Sequence, residues 1–202
     1  MAIPGYTTIF GLAGKLTDVN TNTPVDIAAV EGYASTIGHY FRYDALSSRN
    51  FTAQFKPEMA VDRSGQYGAF VFWVTPGSEY ASSSFYAVTF HRSSWENNQR
   101  ITVGLRMNTV ENGVQNPSGL VQQYIITAAP STPTCNIEVK NNIFTLKVNG
   151  GLAITETLAP GGIVGSGIGF MMGSMWSAEG QRWSDVLIKN ISSVTKKQYR
   201  VM

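Results

Sequence analysis

Residues Ile137–Ala153 read IEVKNNIFTLKVNGGLA. Ile137 and Val139 alternate with Glu138 and Lys140, and Phe144, Leu146 and Val148 alternate with Thr145 and Lys147. A period of two marks a strand with one buried face. Asn141-Asn142 joins the two runs, and Asn149-Gly150-Gly151 ends the second. Asn and Gly tolerate the positive φ that two-residue hairpin turns demand. The stretch therefore predicts a hairpin with a return strand. If the Val148 face is core, Val148→Asp is expected to cost several kcal/mol, on the order of burying an unpaired charge.

The same pattern recurs outward from this stretch. Phe51, Ala53 and Phe55 alternate with Thr52, Gln54 and Lys56. Gly68–Val74 is apolar on both faces, and Phe85–His91, Ile101–Met107, Val121–Thr127, Gly167–Met172 and Val186–Ile191 have strand length and composition. Gly, Pro, Ser and Asn punctuate the gaps. Helical periodicity is nearly absent; the best helix candidate is the short Val25–Tyr33. Asn108–Gly119 reads as the longest loop, a surface excursion. Short strands without helices predict an all-β sandwich or barrel. With 202 residues and no repeat or long linker, residues 1–202 are expected to form one domain.

Charged residues make up only 14% of the chain, against about 25% in an average domain, while 43% are hydrophobic. The formal net charge of +2 gives no reason to expect nucleic acid or an anionic membrane as partner. Lys196-Lys197 reads as part of a solvated tail. Cys135 is the single cysteine, so an internal disulfide and a Cys₄ or Cys₂His₂ zinc site are excluded. Its place beside a strand predicts a buried, inert thiol. MAIPGYTTIF lacks the basic and apolar regions of a secretory signal, and no run approaches a membrane span. Without a secretory route, the sequons at Asn50 and Asn190 read as accidental.

Beyond the opening hairpin come Gly161-Gly162, GSGIGF at 165–170 and SDVLIKNIS at 184–192. Upstream lie FTAQFKPEM at 51–59, GQYGAFVFWV at 65–74 and SSSFYAVTFHR at 82–92. Over Phe51–Ser192 this order resembles the concanavalin A-like (laminin G-like) jelly-roll superfamily. The resemblance implies a two-sheet antiparallel sandwich in which Asn149-Gly150 is a tight bend with no chemistry of its own. It leaves function open, because the superfold hosts lectins, carbohydrate-binding modules, glycosidases and adhesion domains.

Glycosidases of that fold carry an E-x-D-x-x-E or E-x-D-x-E strand, which places acid and nucleophile roughly 5 Å apart on one face. No such cluster occurs here. Glu79, Glu96 and Glu111 fall in predicted loops, and Glu138 has only Lys140 beside it on its strand face. His39 and His91 are not placed for a catalytic triad. Gly165-Ser-Gly-Ile-Gly169 resembles a phosphate loop but leads into a strand, so it reads as a β connection. The scattered Asp residues suggest no calcium site. The chain is expected to have no catalytic residue, metal or cofactor.

If Phe51/Phe55, Phe70/Phe72, Tyr86/Phe90 and Ile101/Val103/Leu105 form the core, the opposite faces carry Gln54, Lys56, Val71, Trp73, Thr89, His91 and Arg106. Taken as one sheet surface, Trp73 flanked by Gln54, His91 and Arg106 forms a candidate glycan platform. A sugar ring stacks on the indole and polar neighbours bond its hydroxyls. Tyr80, Trp95 and Trp176, in predicted loops, are candidate contact residues for a glycan or a protein.

These readings favour a non-enzymatic structural or interaction protein: a phage virion surface or decoration protein with a lectin-like fold. The alternative is a free-standing carbohydrate-binding module, and a glycoside hydrolase is least favoured. The expected partners are other virion or assembly proteins, further copies of the chain and a cell-surface glycan. The expected location is the virion surface after synthesis in a host cytoplasm, or, for the alternative, a soluble cytoplasmic or extracellular state. Residues 1–35, outside the region of resemblance, are the expected docking segment, which could add a strand to a neighbour's sheet.

Overall fold

The computed structural model describes residues 6–10, 25–28, 39–43, 46–58, 66–75, 84–92, 101–111, 114–116, 120–126, 132–159, 163, 165–174 and 182–191. These residues form strands β1 (Tyr6–Phe10), β2 (Val25–Ala28), β3 (His39–Tyr43), β4 (Phe51–Glu58), β5 (Gln66–Thr75), β6 (Ser84–Arg92) and β7 (Ile101–Glu111). They continue with β8 (Val114–Asn116), β9 (Leu120–Ile126), β10 (Cys135–Lys140), β11 (Ile143–Val148), β12 (Gly151–Thr157), β13 (Gly167–Ser174) and β14 (Arg182–Asn190). No described residue is helical. An eight-stranded sheet runs β1-β3-β13-β5-β6-β7-β8, with β9 also on β7, and a six-stranded sheet runs β12-β11-β10-β4-β14-β2. All pairings are antiparallel. The fold is the two-sheet, concanavalin A-like jelly-roll sandwich that the strand pattern and the resemblance predict.

The hairpins of Ile137–Ala153 form as their turn chemistry requires. Asn141 and Asn142 have φ of 52° and 64°, and Asn149 and Gly150 have φ of 50° and 83°. Both central residues of each turn thus take the left-handed conformation that matches strand twist. The Asn149 amide N–H donates to the Thr134 carbonyl at 2.8 Å, and its Oδ1 accepts from the Thr134 N–H at 2.9 Å. Asn50 Oδ1 similarly accepts from the Asn141 N–H at 3.0 Å. The Asn149 side chain thus ties its turn to Thr134, and the Asn50 side chain holds the Asn141-Asn142 turn from outside.

The inward faces meet in an aromatic layer. Phe55 of the six-stranded sheet stands edge-on to Phe90 (5.9 Å), Phe170 (5.8 Å) and Trp183 (5.2 Å). Phe72 stacks on Phe144 at 5.6 Å and on Tyr86 at 5.6 Å. Every residue assigned to the core from alternation is buried: Phe51, Phe55, Phe70, Phe72, Tyr86, Phe90, Ile101, Val103 and Leu105. Cys135 is also buried, and burial drives its thiol pKa far upward, which keeps it protonated and inert.

The loop and helix expectations need correction. Val25–Ala28 is strand β2 and shows no helical turn; VDIA alternates and pairs with β14. Asn108–Gly119 is largely not loop: Asn108–Glu111 extends β7, and Val114–Asn116 pairs back on it. Glu111 accordingly ends a strand. The Asn112-Gly113 pair between them is a hairpin signal masked by the scarcity of apolar neighbours. β3, His39–Tyr43, is a strand that the sequence reading did not single out. Within residues 1–35, read as a docking segment, Tyr6–Phe10 and Val25–Ala28 form β1 and β2, each last in its sheet among the described residues.

Gly165 shows why the GSGIG run is structural. A Cβ there would stand 1.7 Å from the Val74 carbonyl oxygen, and its N–H donates to Thr75 Oγ1 at 2.9 Å. The glycine permits backbone contact with β5 and leads into strand β13. Because Phe55 touches four rings, Phe55→Ala should cost about 3–5 kcal/mol. Thermal denaturation should show a fall in Tm of roughly 10 °C.

Candidate functional site

The outer face of the six-stranded sheet is built by the same alternation that fills the core. Phe51, Ala53 and Phe55 point inward, so Thr52 and Gln54 point outward. Asn136 and Glu138 of β10, Thr145 and Lys147 of β11, and Leu187 and Lys189 of β14 do likewise. Register aligns them into two rows across four strands. One runs Lys147–Asn136–Gln54–Leu187, the other Thr145–Glu138–Thr52–Lys189. These two rows line an open trough of ≈ 440 Å³.

The trough presents two amides, two hydroxyls, one carboxylate and lysine ammonium groups. Directly opposed side chains on antiparallel strands have Cβ atoms about 5 Å apart. A ligand lying across the rows thus meets a donor or acceptor at nearly every strand. Glu138 is the one carboxylate among the described lining residues. Two others at the β4–β14 end are engaged locally. Asp185, at a bulge with φ of 53°, pairs with Lys56 at 2.5 Å, and Glu58 Oε1 accepts from Ser184 Oγ at 2.5 Å. The hydrogen bond and charge of Asp185 raise the Lys56 pKa.

The outer face of the eight-stranded sheet is different. Ala69, Val71, Val74, Phe85 and Ala87 form a second buried apolar cluster there. His91 and Arg106 are exposed beyond it. Arg106 lies opposite Ala87 and His91 opposite Thr102, so the two are four residues apart along the strands, roughly 13 Å. Only a ligand several rings long could touch both. In all eight strands the single acidic residue is Glu111. Among the described residues, no three His, Cys, Asp or Glu side chains stand together as metal ligands.

The structure therefore separates the four residues read as one glycan platform. Gln54 belongs to the six-stranded sheet, on the opposite side of the molecule from His91 and Arg106. Alternation assigns a face within a strand but not the sheet the strand joins. Trp73 is on neither outer face. It has φ of 55° and is skipped in both of its ladders: Gly167 and Ile168 pair with Val74 and Phe72, and the register to β6 shifts over the same residues. This bulge turns the indole inward, leaving it 1% exposed. Its Nε1–H donates to the Arg49 carbonyl at 2.9 Å, and the Arg49 guanidinium lies 3.6 Å over the ring. Burial lowers the Arg49 pKa, opposed by Tyr86. Tyr80, Trp95 and Trp176 lie outside the described residues. The trough residues Asn136, Thr145 and Lys147 were missed, although they flank the opening hairpin. Their signal is the outward half of its alternation.

No family model and no curated protein sequence matches the chain. Solved structures do. The carbohydrate-binding module CBM66 from Bacillus subtilis superposes with a TM-score of 0.57 at 16% identity, covering 92% of this chain and 96% of that one. The CBM2 module of the evolved Dit of Lactobacillus casei BL23 phage J-1 gives 0.55 at 11% identity, over 96% and 94%. The legume lectin-like domain from Entamoeba histolytica gives 0.53 at 12% identity, over 94% and 91%. A family 16 glycoside hydrolase from Bacteroides ovatus has the same architecture. At these identities the likeness establishes the fold.

Trp73→Ala should behave as a core truncation, lowering stability by about 3–5 kcal/mol. Chemical denaturation followed by far-ultraviolet circular dichroism measures this. An unchanged midpoint would return Trp73 to the surface.

Proposed function

We propose that the chain is a non-catalytic carbohydrate-binding domain whose ligand lies in the trough of the six-stranded sheet. The observation that carries this is the double row of Gln54, Asn136, Thr52, Thr145 and Glu138 across an open depression. Paired donors and acceptors on a flat floor suit a ligand rich in hydroxyls. The shared fold with CBM66 and the lectin-like domain supports the reading.

Hydrolysis is the weaker reading because it needs two carboxyl groups, about 5 Å apart for retention and about 6.5–9.5 Å for inversion. Glu138 is flanked in its row by Thr52 and Thr145. A second, compatible reading is that the domain works on a phage virion, joined to other virion proteins and facing a cell-surface glycan. The likeness over nearly the full chain to the phage J-1 Dit module favours it.

A glycan array followed by calorimetry tests the binding site. Each lost hydrogen bond is worth about 0.5–1.5 kcal/mol. Gln54→Ala combined with Asn136→Ala should therefore weaken binding of the best oligosaccharide by roughly tenfold or more. Tm should barely move, since both are surface positions. Binding that survives this change but is lost with His91→Ala and Arg106→Ala would transfer the site to the other sheet. Release of reducing ends from the bound polysaccharide would contradict the non-catalytic assignment.

A further inference from the structure

Four of the large apolar side chains that remain exposed belong to one strand. In β9, Leu120 is 43% exposed, Val121 40%, Tyr124 38% and Ile125 38%. The strand reads LVQQYII, with no charge and no proline. It pairs with β7 on one side, and among the described residues no strand pairs with its other side. Edge strands are ordinarily protected by charges, proline or bulges, because their free N–H and C=O groups template further pairing. The β12 edge carries Glu156 and the β2 edge Asp26. β9 has only a register shift at Val121, which leaves Gln122–Ile126 regular.

Apolar side chains are left partly exposed on both faces of β9, although its inward face approaches β12. Ile125 and Gln123 lie opposite Thr102 and Gly104, away from the core, whereas Tyr124 lies opposite Val103, toward it. A partner that extends the sheet pairs the free backbone edge and flanks the side chains of both faces at once, as a side chain or loop resting on one face would not. We propose that β9 pairs antiparallel with β9 of a second copy, about a two-fold axis at Gln123 or Tyr124. Charge is compatible with that occupant: uncharged residues meet uncharged residues along the whole strand. The nearest described cation, Arg106, lies opposite Leu120 at one end, so the two-fold places the second Arg106 at the other end. The strand offers no ion pair to an acidic or basic peptide. An isologous pair also closes, whereas β9 adding to the uncharged β1 edge of another copy would run on. Only a seven-residue edge is covered, so the dimer is reversible and forms with rising concentration.

Analytical ultracentrifugation of the full chain tests this. The wild type should shift from one copy toward two as concentration rises. Gln123 is exposed, and in either register its two copies are opposite or diagonal neighbours. Gln123→Lys alone and Gln123→Glu alone should each raise the dimer Kd at least tenfold. Mixing the two variants should restore dimerisation, which excludes misfolding as the cause. The proposal is overturned by a wild type that stays monomeric, by single variants that dimerise unchanged, or by a mixture that is not rescued. Growth beyond two copies would overturn it in favour of run-on pairing.

Discussion

The aromatic layer between the sheets is the constraint on which the rest depends. Phe51 and Phe55 from one sheet meet Phe70, Phe72, Phe90 and Phe170 from the other, at centroid distances of 5.1–6.1 Å within the cluster. With Cys135 buried and no second cysteine, no covalent link supports them. A one-residue slip in β4 or β10 would bring Gln54 or Glu138 into this layer. Ring packing therefore fixes register, and register determines which polar side chains align outside. The trough is the outward half of a pattern held by the inward half.

Period-two alternation made the core legible residue by residue, and Asn-Asn and Asn-Gly marked both turns of the opening stretch. Sheet membership was not legible. Phe51–Lys56 and Phe85–His91 alternate alike, yet β4 and β6 lie in opposite sheets, because pairing is decided by contacts distant in the chain. This alone divides Gln54 from His91. The Trp73 bulge was hidden for another reason: a non-glycine residue at positive φ has no compositional mark, and GAFVFWV is apolar on both faces. The inward turn is held by Arg49 and Tyr86, 24 and 13 positions away in the chain. β3 and β8 are short strands recognised by the strands they join.

The two outer faces divide the chemistry. The eight-stranded face has a buried apolar cluster and, in its strands, one acidic residue. The six-stranded face has amides, hydroxyls and a carboxylate with no carboxylate neighbour in its row. Such a surface can recognise hydroxyls and hold a chain across the strands. Among the described residues lining the trough, Glu138 stands without a second carboxylate. A binding domain docked on a larger assembly would use the trough for ligand and its strand edges for neighbours.

The most direct measurement is a backbone amide NMR titration of the ¹⁵N-labelled chain with the oligosaccharide that binds best on an array. Shifts at Thr52, Gln54, Asn136, Glu138, Thr145 and Lys147, with those of Thr89, His91, Thr102 and Arg106 unmoved, are the result expected of a ligand in the trough. Saturable shifts confined to the second group would contradict the account.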